Sequence, residues 1–140
     1  MNDPSDTTLG WIRKADGDLR VAQICLNARE SYDAVCFHSQ QAAEKFLKAF
    51  LELKGLLIPK THQIEQLVEL CSNFEPAFEK LYGIGIQLTP YSIRARYDIE
   101  FWPPERVAME AVAAAETVRE QVMAALPEKI VNHLSQSLKN

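Results

Sequence analysis

The sequence predicts an all-α protein, an antiparallel up-and-down helical bundle of four main helices plus a short one. Three observations carry that expectation. Apolar residues recur at steps of three and four through most of the 140 residues, the period of a helix face. No stretch alternates apolar and polar residues as a half-buried strand does, and no Asn-Gly or Asp-Gly pair marks a hairpin. Proline and glycine fall between the periodic stretches more than within them, so they read as punctuation.

The first helix follows Asp6 to Thr8, whose side chains suit a cap. It is patterned by Ile12, Ala15, Leu19, Ala22 and Leu26. Gly17 weakens it without breaking it. The pattern lapses over residues 27–31, where Ser31 or Asp33 is placed to cap the next helix. So short a connection makes the two helices antiparallel neighbours.

The second helix runs from about Tyr32 to Lys54, with Gly55 suited to the left-handed position after it and Pro59 beyond. Two apolar stripes cover it: Val35, Ala42, Phe46, Ala49 and Leu53, then Cys36, Ala43, Leu47, Phe50 and Leu51. A helix apolar on two sides has neighbours on both, which makes this one the spine of the fold. A third helix opens at Thr61 or His62 and buries Ile64, Leu67, Val68 and Cys71. A shorter pattern spans Pro76 to Tyr82, after which Gly83 and Gly85 are expected to loosen the chain. The last clear helix starts at Pro103-Pro104-Glu105 and packs through Val107, Ala111, Ala114, Val118, Val122 and Ala125. Pro127 ends it, and residues 130–138 add a terminal turn or a frayed tail. The expectation is one domain over 1–140, with its core at about 9–122 and a tail at 127–140.

Composition narrows the function classes. A 47% hydrophobic and 24% charged chain of net charge -4 is a globular one, and it is not built to coat nucleic acid by charge alone. No run is long and apolar enough to span a membrane, and the N-terminus lacks the pattern of a secretory signal. Cys25, Cys36 and Cys71 have neither CxxC spacing nor a histidine cluster, so they read as reduced thiols in a cytoplasmic protein, without a metal site or cofactor. There is no Gly-rich phosphate loop, HExxH or GxSxG. Asp16 and Asp18, two apart on a helix, point to different faces.

Three polar groupings remain. His38, Gln41 and Lys45 line one side of the second helix, beside Gln40, Glu44 and Lys48. They form either a site wall or a solvated edge, in which Glu44 and Lys48 pair at i, i+4 for a few tenths of a kcal/mol. Lys60-Thr61-His62 is a polar approach to a helix start, with Thr61 as cap. Residues 89–104, TPYSIRARYDIEFWPP, read as a loop in which Arg94 and Arg96 lie among Tyr91, Tyr97, Phe101 and Trp102. Arginine suits phosphate and aromatic rings suit base stacking. Equally, Arg94 pairs with Asp98 at i+4, and the rings plug the bundle's end.

The runs AVCFHSQQAAEKFLKAFLELKG, PKTHQIEQLVELC and YSIRARYD, in this order, resemble the HEPN domain (higher eukaryotes and prokaryotes nucleotide-binding) over about Leu9 to Val122. The resemblance implies a bundle of about five helices, frequently dimeric. It also implies one of two roles. Many small prokaryotic members accompany a minimal nucleotidyltransferase, in a two-protein or toxin–antitoxin system. Others are metal-independent ribonucleases with an Arg-x4–6-His motif paired across a dimer. Here Arg29, Arg94, Arg96, Arg106 and Arg119 have no histidine at that spacing, and Asp98 stands where the family has proline after Arg-Tyr. Without that histidine, attack by a 2′-hydroxyl lacks its usual general base. The expected protein is therefore a non-catalytic binding module, a homodimer acting with a nucleotidyltransferase partner. Its expected ligand is a nucleotide or RNA, held by His38, Gln41, Lys45, Arg94, Arg96 and Tyr97. The rivals are a divergent ribonuclease using His38 or His62, and a purely structural oligomerisation partner.

Overall fold

A computed structural model describes residues 4–139, with side chains placed for residues 6–136. Helix α1 (Pro4–Asn27) and helix α2 (Tyr32–Leu53) form the hairpin expected from their short connection. Trp11 lies against Lys48, and Asp18 against Lys45 and His38, so positions rise along one helix as they fall along the other. Because α1 is already helical at Pro4, Asp6 to Thr8 lie in its first turns instead of capping it, and Thr8 is buried. Gly17 is accommodated without a break.

The turn between them is closed at a cost. Glu30 N–H donates to Cys25 C=O and Arg29 N–H to Leu26 C=O, a Schellman closure with Arg29 at φ 56° where glycine is usual. Ser31 precedes α2 at φ 55°, so its hydroxyl makes no cap hydrogen bond. The far end of α2 closes the same way with the expected residue: Gly55 at φ 74°, Gly55 N–H to Glu52 C=O and Leu56 N–H to Leu51 C=O.

Both apolar stripes of α2 are buried, apart from half-buried Leu53. Helix α3 (Ile64–Ser72) buries Ile64, Leu67, Val68 and Cys71 as its pattern requires. A 3-10 segment, Pro76–Leu81, sinks Phe78 against Phe50, ring centroids 4.6 Å apart.

The next stretch differs from expectation. The chain is not loosened at Gly83 and Gly85 but forms α4 (Tyr82–Leu88). Gly85 is there because α4 crosses the first turn of α3 almost backbone to backbone. A Cβ at Gly85 would lie 2.7 Å from the Glu65 backbone nitrogen. Residues 91–97, expected as loop, form α5 (Tyr91–Tyr97), with Pro90 preceding its first turn. Helix α6 (Glu105–Ala125) lays Ala108, Ala111, Ala115 and Val118 against the core, and small side chains allow that close approach. Tyr32 reaches Glu105, so α6 and α2 run the same way; α1 opposes both, through Asp16–Arg119 and Gln23–Glu116. The tail is a helix, α7 (Glu128–Lys139), anchored by buried Ile130. The fold class is as expected, with seven α-helices and one 3-10 segment, and no strand, among the described residues.

Candidate functional site

The polar line of α2 is organised by two carboxylates. The first is Asp18 of α1. One of its oxygens takes His38 Nδ1 at 2.9 Å and the other takes Lys45 Nζ at 2.6 Å. The Asp18 side chain is only 13% exposed. Burial on its own would raise its carboxyl pKa, but hydrogen bonds and positive charge from His38 and Lys45 outweigh that and hold it below the ordinary value. Two of the residues expected to hold ligand are thus already engaged with an acid. With Nδ1 donating to Asp18, the neutral form of His38 carries its lone pair on Nε2. Asp16, two residues earlier, pairs instead with Arg119 of α6 at 2.9 Å, so the two acids do serve different faces.

The second organiser is Glu44, whose side chain is 5% exposed. Its Oε2 accepts from Lys48 Nζ at 3.0 Å, while Oε1 takes His62 Nδ1 at 2.8 Å and Gln40 Nε2 at 3.2 Å. Gln40 also donates to the His62 carbonyl, and Gln41 donates to Gln40 Oε1 at 2.7 Å. The Glu44–Lys48 pair is therefore not a solvated edge. It is a buried hub that ties the segment before α3 to α2. Sequence reasoning placed Gln40 and Glu44 only as neighbours of the line. Gln40, Glu44 and Lys48 at i, i+4 and i+8, among the apolar stripes of the spine helix, were the available signal.

Thr61 does not cap α3. Its hydroxyl accepts from Gln63 N–H and donates to Gln66. The Ile64 N–H is taken instead by Thr89 Oγ1 at 2.8 Å, and Thr89 donates to Glu65 Oε2 at 2.8 Å. A hydroxyl from the α4–α5 junction thus seats the start of α3 and, through it, the approach of His62.

The two arginines of α5 part company, because residues two apart on a helix differ by about 200°. Arg96 turns toward α2. Its Nε donates to the Ser92 carbonyl at 3.0 Å, and its guanidinium lies 5.1 Å from the Phe37 ring centroid and 5.0 Å from that of Tyr97. Phe37 in turn meets the His38 ring edge-on at 5.2 Å. No carboxylate lies within ion-pair distance of Arg96 among the described residues. Arg94 turns away, over Phe101 at 4.6 Å and loosely toward Asp98 at 3.7 Å. It lines a shallow cleft of about 370 Å³ with Tyr91, Glu100, Phe101, Trp102 and Val107.

Of the six residues singled out, His38 and Lys45 meet on Asp18, while Gln41 joins the Glu44 hub through Gln40. Arg96 and Tyr97 reach the same end of α2 by way of Phe37. Arg94 belongs to another surface. Among the described residues no group of three or more His, Cys, Asp and Glu could hold a metal, and no helix is long and apolar enough to cross a membrane.

The comparisons with known proteins follow the same architecture. The family model of the HEPN domain matches residues 8–129. The crystal structure of TT1696 from Thermus thermophilus superposes with a TM-score of 0.76 at 28% identity, covering 85% of this chain and 98% of that one. That of ST0689, described as an archaeal HEPN homologue, gives 0.65 at 26% identity, covering 89% and 98%. No curated protein matches the chain.

Proposed function

The chain belongs to the HEPN domain family, and from that premise we propose that it is a binding module, homodimeric and paired with a minimal nucleotidyltransferase in a two-protein or toxin–antitoxin-like system. Its ligand is a nucleotide or RNA, whose phosphate is held at Arg96. The observation that carries this is the cradle of Arg96. Its guanidinium lies over two aromatic rings, with Nε fixed by the Ser92 carbonyl and no acid opposing it among the described residues. A planar cation so oriented offers its remaining N–H groups to a phosphate at little entropic cost, and Tyr97, 68% exposed, is open to base stacking. His38 and Lys45 act mainly by bracing α1 against α2, because Asp18 takes their donors.

Fluorescence anisotropy with short single-stranded RNA, and calorimetry with nucleoside triphosphates, test the reading. Arg96→Ala is expected to weaken binding at least about tenfold, and Arg96→Lys to recover only part, since an ammonium lacks the planar fork. Equal binding by wild type and Arg96→Ala would refute it.

One observation favours a second reading, a divergent ribonuclease. The Asp18–His38 pair fixes the imidazole through Nδ1 as a general base would need, on a side chain that is 29% exposed. Metal-independent cleavage of a mixed RNA pool that disappears in His38→Ala, with the fold intact, would establish that reading over the first.

A further inference from the structure

The segment that follows α5 exposes two large apolar side chains, Ile99 at 87% and Trp102 at 77%, and Trp102 lines a cleft with Arg94, Tyr91 and Phe101. Single exposed hydrophobics are ordinary, but an aromatic-rich cluster interleaved with arginine has the composition of an interface core. Around it the charges alternate in kind: Arg94 and Arg96, then Asp98 and Glu100. Asp98 is occupied, accepting Glu100 N–H at 3.0 Å and facing Arg94 loosely at 3.7 Å. The Glu100 carboxylate has no ion-pair partner among the described residues, and Arg94 has none closer than that loose one. Arg94 and Glu100 nevertheless line one cleft, whose floor holds the tilted Tyr91 and Phe101 rings, 5.7 Å apart.

A cleft lined by both a cation and an anion can be complementary to a copy of itself turned through a two-fold axis. A nucleic acid would meet Asp98 and Glu100 as repulsive charges. We propose that this surface seats a second copy of the chain, so that Arg94 of each copy meets Glu100 of the other and Trp102 of each closes on its counterpart's cleft. Together Ile99 and Trp102 offer on the order of 300 Å² per copy, against roughly 800 Å² per partner in a standard interface, and the cleft with its flanking Arg94, Asp98 and Glu100 supplies the remainder. The proposal rests on the homodimeric reading above and locates that dimer. It leaves Arg96, on the other side of α5, free for ligand.

Light scattering after size exclusion, with sedimentation to obtain Kd, tests this. The double substitution Ile99→Asp with Trp102→Ala should turn a dimeric wild type into a monomer. Both residues are largely exposed, and an unchanged melting curve would certify the fold. Arg94→Glu and Glu100→Arg should each weaken dimerisation at least about tenfold, and together restore it to within a few-fold, because the swapped pair is again complementary. A dimeric wild type whose variants stay dimeric would overturn this surface while sparing the homodimer. A monomeric wild type would overturn both. Variants that stay dimeric but lose RNA binding would assign the patch to nucleic acid, and so overturn the proposal as well.

Discussion

Gly83 and Gly85 lie in the same seven-residue helix, and neither holds a positive φ. Alanine is the better helix former at both by up to about 1 kcal/mol. At Gly83 an added Cβ meets nothing within 4 Å, so Gly83→Ala should stabilise the protein by about 0.5–1 kcal/mol. At Gly85 the same atom would lie 2.7 Å from Glu65 N and 2.9 Å from Glu65 Cα, both backbone atoms that cannot swing aside. Restoring ordinary contact, at 3.4 Å or more, requires α4 and α3 to part by about 0.7 Å. That strain costs about 1–3 kcal/mol. It also pulls on the 2.8 Å hydrogen bond from Ile64 to Thr89, worth about 1 kcal/mol more. After the helix-propensity gain, Gly85→Ala should destabilise by about 2 kcal/mol. The two variants should then differ by nearly 3 kcal/mol, on the order of 10 °C in Tm for a chain of this size. Urea unfolding followed by far-UV circular dichroism measures the difference directly. Equal stability, or a more stable Gly85→Ala, would refute the close approach of α4 to α3 and with it the account of how His62 is brought to Glu44.

Two further outcomes are expected. Asp18→Asn should cost about 2 kcal/mol at neutral pH, where wild-type Asp18 accepts two charged or polar donors. Because the folded-state carboxyl lies below its usual value of 3.8, its contribution is complete above that value and is lost as pH falls through the folded pKa. Stability curves of the two proteins should therefore begin to converge only as pH falls below 3.8 and meet below the folded pKa, by chemical denaturation across a pH series. Burial, with the Asp33 charge adding to it, pushes the Cys36 thiol up to about 12, and burial pushes Cys71 to about 12. Since the thiolate is the nucleophile, a maleimide at neutral pH should label one thiol per native chain, half-buried Cys25, and three after denaturation, as mass spectrometry would count.

The sequence was informative where one face of one helix decides the matter. Ile64, Leu67, Val68 and Cys71 are buried because a helix with a single apolar side has one way to lie. Gly55 was legible because a helix end that turns left-handed asks for glycine. What escaped depended on a second element. Gly85 reads as a breaker until the Glu65 backbone is beside it. Arg29 adopts the conformation of Gly55 with no sequence mark at all. Helix α5 has seven residues, too few to show a period, and the prolines around it suggest a loop. At the site, the α2 line was visible as polar residues at helical spacing, but whether it was free for ligand depended on Asp18, which local pattern connected to nothing. Glu44 shows the same limit. Its i+4 partner Lys48 was evident, whereas its burial and its bond to His62 come from the packing of α3.

The helical state of residues 91–97 also changes what the arginine pair can mean. In a loop, Arg94 and Arg96 could have converged on one phosphate. On α5 they diverge by about 200°, one toward Phe37 and the polar line of α2, the other toward Phe101 and the exposed Trp102. The twelve residues 91–102 thus supply two surfaces of different character, an aromatic cradle with an unopposed cation and an apolar patch of balanced charge. Groups with no shared partner have effects that add. Loss of Arg96 should therefore lower ligand affinity without altering the dimer, and loss of Trp102 should do the reverse. Only if the ligand bridges the two copies would the effects couple, because each copy's cradle would then depend on the other's position. Coupling between Arg96→Ala and Trp102→Ala in RNA binding thus measures whether one site is shared across the dimer or two sites act independently.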